Sequence, residues 1–252
     1  MRFLELIFYK AYAELRVETA KGHLGILWWV LEPVLYMATF YVVFTVIRSG
    51  GTDDFVAFLL VGLVAWKWFA ATVAMGASSI VNGASLLRQV YIPKYFFSAV
   101  VVMTNTFKFL IVFLLLLVFL VLYGVPISWA WLCLPVLILV QLLVIAAMAS
   151  FLSALLPFFQ DLKTLIDNGL MLLFFLSGVI FDISRAPEAL KPYLYLNPMV
   201  GLVEAYRDVL LQGLMPNWSV LSMLAAAAVI VLMLSQYLLV RYDRVYAKVL
   251  IR

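Results

Sequence analysis

Long apolar stretches alternate with short polar interruptions along this chain. A hydrocarbon core about 30 Å thick takes roughly 20 residues of helix to cross. Six stretches qualify, at about Ile26–Ile47, Phe55–Ala77, Ser98–Leu122, Trp129–Leu156, Leu165–Phe181 and Trp218–Val240. All are too continuous for strands, and none alternates with the period of two that an outer-membrane barrel requires. The pattern predicts an all-α membrane protein with six transmembrane helices. Residues 1–252 read as one transmembrane domain, with spans one to five within 26–181, span six at 218–240 and a tail at 241–252.

The interruptions have a pattern of their own. In Phe3–Lys21, Leu4, Phe8, Ala11 and Leu15 recur at helical spacing, and Lys10, Glu14, Glu18 and Lys21 form a separate polar stripe. That arrangement predicts an amphipathic helix over residues 1–22 lying in the membrane interface. The loop Asn82–Phe97 carries Arg88, Pro93 and Lys94 and is long enough for a stub of helix. Tyr123–Ser128 reads as a bare turn on Gly124 and Pro126, and Pro157–Thr164 is similarly brief. Residues 182–217 break the rhythm: Pro187, Pro192, Pro198 and Pro216 punctuate them, Asn197-Pro198 signals a turn, and Met199–Leu211 reads as a short helix. Neither half is long enough to span. The expectation is a pair of re-entrant helices that dip into the outer leaflet and return. Irregular backbone at that depth needs protein or a wet cavity around it, so the segment would rim a pathway. A loop lying flat on the outer surface is the alternative.

Composition strengthens the membrane reading. The chain is 67% hydrophobic and 12% charged, with a mean hydropathy of +1.13. Soluble domains have about 45–50% apolar and about 25% charged residues, so lipid must solvate much of this surface. The net charge of +4 does not suggest nucleic acid. The lone cysteine, Cys133, lies in an apolar run and reads as a small buried residue. The N-terminus lacks the apolar core and small-residue cleavage site of a removable signal peptide. With both termini inside, the inner segments hold Arg2, Lys10, Arg16, Lys21, Arg88, Lys94, Lys163, Arg241, Arg244, Lys248 and Arg252, whereas the outer ones hold Arg48, Arg185, Lys191 and Arg207. That bias predicts cytoplasmic termini, and an even number of spans agrees.

Candidate chemistry is sparse. The single histidine, His23, has no Cys or acidic partner at metal-ligand spacing. No Ser/His/Asp arrangement and no GxxxxGK[ST] phosphate loop occurs, so ATP used to drive this protein would be bound by another chain. Glu32 and Asp167 lie near span ends, and no dense relay of intramembrane carboxylates occurs. Lys67, between Trp66 and Trp68, and Lys108 fall deep within spans. They either face a hydrated conduit, where they would meet an anionic group, or snorkel toward an interface. Trp28, Trp29, Trp129, Trp131 and Trp218 suit an interfacial aromatic belt. Tyr36, Tyr41 and Trp66 sit deeper, where their faces would offer sugar rings a stacking surface along a channel or would simply pack.

Several motifs carry a resemblance. Leu24-Gly25-Ile26-Leu27-Trp28 with Glu32-Pro33, Arg88-Gln89-Val90-Tyr91-Ile92-Pro93-Lys94, Leu176-Ser177-Gly178-Val179-Ile180-Phe181, Leu196-Asn197-Pro198 and Tyr206-Arg207 follow one another in the order and spacing of ABC-2 type polysaccharide-export permeases. Each motif is weak alone; together they resemble the O-antigen, capsule and teichoic-acid exporters over residues 5–240. The lysine between two tryptophans departs from that pattern. The resemblance implies a homodimer joined to two ATPase subunits that hold ATP and Mg, with no cofactor on this chain, in the bacterial inner membrane. It implies a channel, lined partly by aromatics, for a glycan on a polyprenyl diphosphate lipid; the residue reading above makes Tyr36, Tyr41, Trp66, Lys67 and Lys108 the lining candidates. Arg88, Tyr91, Pro93 and Lys94 would couple to the ATPase, and Asn197, Pro198, Tyr206 and Arg207 would belong to the outer gate. Arg207 or Arg88 would suit a diphosphate, because guanidinium matches phosphate oxygens in bidentate fashion; Arg88 equally suits an orientation-setting charge. A drug or small-lipid exporter of the same type is the alternative function. A membrane-embedded glycan polymerase or acyl transferase would need a catalytic His or gathered carboxylates, which the sequence does not offer.

Overall fold

The computed structural model describes residues 3–20, 31, 34–36, 38–39, 42, 54–87, 89–90 and 92–251. Within them every regular element is helical. The labelled helices are α1 (Phe3–Ala20), α2 (Asp54–Ala77), α3 (Tyr95–Leu122), α4 (Leu134–Leu155), α5 (Leu162–Phe175), α6 (Pro198–Arg207), α7 (Trp218–Arg241) and α8 (Asp243–Ile251). A 3₁₀ turn at Trp129–Cys133 leads into α4, and a π turn at Asp208–Gln212 extends α6.

Among the described residues, four helices are long and apolar enough to cross a membrane: Phe55–Ala77, Tyr95–Leu122, Trp129–Leu155 and Trp218–Arg241. They match predicted spans two, three, four and six. Span one falls mostly outside the described residues. The helix predicted for span five is shorter than expected: α5 runs from Leu162 and stops at Phe175 after 14 residues, and it is not among the helices long enough to cross by themselves. The chain leaves the helix through Ser177 and Gly178, whose φ of +70° places it in the left-handed region. Residues 176–181 look like helix in an apolar profile because the turn is built from Leu, Val, Ile and Phe, with only a glycine to mark it.

The spans differ in how they are solvated. The most apolar window of α2 is 72% buried, against 50% for α4, 28% for α3 and 17% for α7. So α2 is the axis of the protomer, packed against α3, α4, α5 and α6, while α7 lies across α4 and exposes most of its surface. Lipid gives no hydrophobic push between helices, so close approach of small residues and interhelical hydrogen bonds must hold them. Both are present. A Cβ on Gly76 of α2 would fall 2.6 Å from the Cβ of Ala149 on α4. Gln141 of α4 donates to the carbonyl of Ala65 on α2 at 2.8 Å, and the Ser98 and Ser150 hydroxyls link α3 to α4 at 3.4 Å. Trp68 stacks on Phe109 with ring centroids 3.9 Å apart, joining α2 to α3.

Three shorter features follow the sequence expectations. The α3-to-α4 link turns on Gly124 at φ +97°. Single-turn helices Ser79–Asn82 and Ala84–Leu87 fill the link between α2 and α3. Residues 182–217 hold short pieces, Ile183–Arg185, Lys191–Leu194 and α6.

Candidate functional site

The residues singled out in the sequence fall at three levels of the bundle. At one end, α6 begins where Asn197 Oδ1 accepts the Met199 N–H at 3.0 Å, with Pro198 in the first turn, where its missing N–H costs nothing. Asn197 Nδ2 also donates to the Leu173 carbonyl at 3.4 Å, which ties the cap to the last turn of α5. Both Tyr206 and Arg207 are buried. The Tyr206 ring meets Phe113 of α3 edge-on, with centroids 5.9 Å apart.

Arg207 is 4% exposed. Its Nε donates to the Phe58 carbonyl at 3.1 Å, Nη1 to Gly178 at 2.7 Å and Nη2 to Val179 at 2.8 Å. The guanidinium also lies 3.3 Å over the Phe58 ring. The expectation that this arginine is open to a diphosphate is thereby corrected. The turn that ends α5 leaves carbonyls without helical partners, and the planar fork of an arginine satisfies two of them while reaching α2. Arg207 thus fastens α6 to both α2 and α5.

Next to it, Tyr195 Oη donates to both Glu204 oxygens at 3.0 and 2.8 Å. Burial pushes the Tyr195 hydroxyl up to about 12, helped by the Glu204 carboxylate. Burial also raises the Glu204 carboxyl above its ordinary range, although the tyrosine bond pulls the other way. Asp208 is raised by burial as well.

At the opposite end lies the loop between α2 and α3. Arg88 and Tyr91 are outside the described residues. Pro93 is half-buried and leads into α3. Lys94 is 4% exposed, and its Nζ lies 2.9 Å from Oδ1 of Asp243 in α8. This lysine, expected in a loop that contacts the ATPase, is paired beneath the C-terminal helix. Around it, Ile7 and Ala11 of α1, Phe96, Phe97 and Val100 of α3, and Tyr246 of α8 form one buried cluster.

Between the ends, Trp66 is 5% exposed and packs against Phe69 and Phe174 in the protomer interior. Lys67 is half-buried, with Nζ 3.6 Å above the ring of Tyr36, which is 39% exposed. A cation over an aromatic face is stabilised by the ring quadrupole, more so out of water. Tyr41 lies outside the described residues. Lys108 forms an ion pair with Glu18 of α1, and Phe8 meets Phe107 edge-on. The polar stripe of α1 is thus shared between water and α3.

Tyr36 and Lys67 come together, as do Asn197, Tyr206 and Arg207 on one helix; Lys108 and Lys94 stand apart from both groups. Sequence reasoning missed Phe58, Asp243 and Tyr246, and placed Glu18 on a polar stripe without its partner. Their partners are distant in the chain, and no local spacing announces them.

Comparison with known proteins agrees with this architecture. The model of the family described as ABC-2 type transporter matches residues 11–211. An O-antigen export system permease protein RfbA of Myxococcus xanthus is 34% identical over 221 residues, covering 87% of this chain and 85% of the relative. Two proteins of the same name from Klebsiella pneumoniae are 26% and 24% identical, covering 86% and 84% of this chain and 84% and 82% of those relatives. The match runs from α1 through the π turn that extends α6, taking in the buried Lys94 and the Arg207 clasp, and the chain belongs to the ABC-2 type transporter family.

Proposed function

We propose that this chain is the permease subunit of an ATP-driven exporter that moves a lipid-linked polysaccharide, of the O-antigen or capsule type, across the bacterial inner membrane. The observation that carries the reading is the 34% identity to an O-antigen export permease, spread over 87% of the chain rather than confined to one motif. The absence of a phosphate loop from the sequence supports placing ATP and Mg on partner subunits.

In this reading two copies enclose the channel and each meets one ATPase subunit. Both termini are cytoplasmic, so the end with α1 and α8 faces inward and the end with α6 faces outward. The link between α2 and α3, with Arg88, Tyr91 and Pro93, receives the motion of the ATPase. The α5–α6 segment, including Asn197, Pro198, Tyr206 and Arg207, forms the re-entrant outer gate. Tyr36 and Lys67 remain lining candidates, as does Tyr41; Tyr36 is 39% exposed and Lys67 half-buried. The buried Trp66 supports the wall from behind. The Lys67 ammonium over Tyr36 offers a positive point beside an aromatic face, a pairing suited to a glycan on a diphosphate lipid.

Deletion of the reading frame tests the proposal. The expected result is loss of surface polysaccharide with lipid-linked glycan retained on the inner side, both reversed by the intact chain. Normal surface glycan with a changed sensitivity to drugs would favour a drug or small-lipid exporter instead.

A further inference from the structure

The segment after the last membrane-crossing helix is short enough to pass for a tail, yet it is fastened to the bundle on one face. The chain turns at Tyr242, and α8 places Asp243 and Tyr246 almost one helical turn apart, on the same side. Asp243 reaches the buried Lys94 at 2.9 Å. Tyr246 is buried, its hydroxyl donates to the Ala154 carbonyl at 2.9 Å, and its ring tilts against Phe158 at 5.0 Å. Lys94 closes the link between α2 and α3, whereas Ala154 and Phe158 lie where α4 ends. The helix also rests against the single turn Ala84–Leu87.

Each fastening resists separation for its own reason. A buried ammonium pulled from its carboxylate leaves a charge in a poorly solvating place. The Ala154 carbonyl is in the last turn of α4 and has no helical donor, so the tyrosine hydroxyl supplies one. These are directional bonds on a rigid helix. They add to the Ser98–Ser150 hydroxyl contact between the start of α3 and α4, which is otherwise surrounded by apolar packing.

We propose that α8 is a strut that makes the α2–α3 link, the start of α3 and the end of α4 move as one body. A push on that link then reaches α4 directly as well as α3. The source of the push, a partner ATPase, rests on the export reading above. Lys94 and Asp243 are positioning residues in this scheme, because they act through the link they hold.

The test uses the full chain assembled with its ATPase in lipid nanodiscs, comparing wild type, Asp243→Asn, Tyr246→Phe and the exchanged pair Lys94→Asp with Asp243→Lys. Hydrogen exchange is read at residues 84–94 and at the last turn of α4. Asp243→Asn and Tyr246→Phe are expected to speed exchange at both places, on the order of tenfold, and the exchanged pair to slow it again. No acceleration, or acceleration confined to the link, overturns the strut. ATP hydrolysis and surface glycan are read in parallel. Asp243→Asn is expected to co-purify with the ATPase and keep basal hydrolysis while exporting several-fold less glycan, with recovery in the exchanged pair. Unchanged export, or loss of ATPase assembly, overturns it too, since a purely structural pair would lower hydrolysis and export together. A wild-type chain that restores no glycan counts against the export reading alone, and hydrogen exchange then decides the strut by itself.

Discussion

The guanidinium of Arg207 occupies space that Gly62 leaves by having no side chain. A Cβ at position 62 would lie 2.8 Å from Nη2 of Arg207 and 3.3 Å from Cγ1 of Val203. The glycine on the axial helix and the arginine at the end of α6 are thus two halves of one clasp. Neither residue is explained without the other, because the arginine reaches the Phe58 carbonyl only over a gap at Gly62.

Breaking the clasp is expected to cost stability before it costs anything else. Arg207→Met strands the carbonyls of Gly178 and Val179, each worth about 1–3 kcal/mol when buried without a donor. Gly62→Ala displaces the guanidinium and is expected to cost about 1–3 kcal/mol through overpacking. Arg207→Lys keeps the charge with a single point of donation and is expected to fall between wild type and Arg207→Met. Thermal unfolding in detergent ranks the three, and wild-type midpoints for Arg207→Met would show that the carbonyls do not depend on this side chain.

Gly178 is held at φ +70°, and a Cβ there would meet Ile183 Cδ1 at 2.5 Å. Left-handed backbone costs a residue with a side chain roughly 1–2 kcal/mol. Gly178→Ala is therefore expected to loosen the turn that presents carbonyls to Arg207. Limited proteolysis between 176 and 186 reads this, with faster cleavage expected in the variant.

The α2–α4 crossing rests on Gly76 against Ala149. Gly76→Ala is expected to destabilise by about 1–3 kcal/mol, as overpacked sites do. Adding Ala149→Gly removes the group it collides with, so the double variant is expected to recover most of the loss. Additive destabilisation in a double-mutant cycle would contradict the contact.

Glu204 supplies a pH signature. Its carboxyl is raised in the folded protein, chiefly by burial. The stability it contributes is then fully present below its unfolded value and lost as pH rises through the raised one. Relative to Glu204→Gln, which does not titrate, wild type is expected to lose thermal stability as pH climbs from the ordinary carboxylate range upward. A difference between the two proteins that stays flat across that range would count against the burial.

Much of the helix pattern was legible in the chain. Phe55–Ala77 and Trp218–Val240 were readable to within a residue, because continuous apolar stretches bounded by polar or turn residues are local facts. The cap at Asn197-Pro198 was readable for the same reason. The end of α5 was not: Leu176, Val179, Ile180 and Phe181 continue the apolar run, while the turn depends on Ile183 packing against Gly178 and on Arg207 donating to the freed carbonyls.

Local pattern was enough to read a chain that crosses lipid, to mark the four stretches long and apolar enough to do so among the described residues, and to show which residue types were available for function. Hydrophobicity and helical spacing are properties of neighbours along the chain, and a membrane converts them directly into spans. Tertiary structure alone decided what each polar group does. Arg207 lies 149 residues from Phe58, and Lys94 meets its carboxylate in the last helix. A buried charge takes whatever partner the packing brings to it, and that partner's distance along the chain carries no signal of its own.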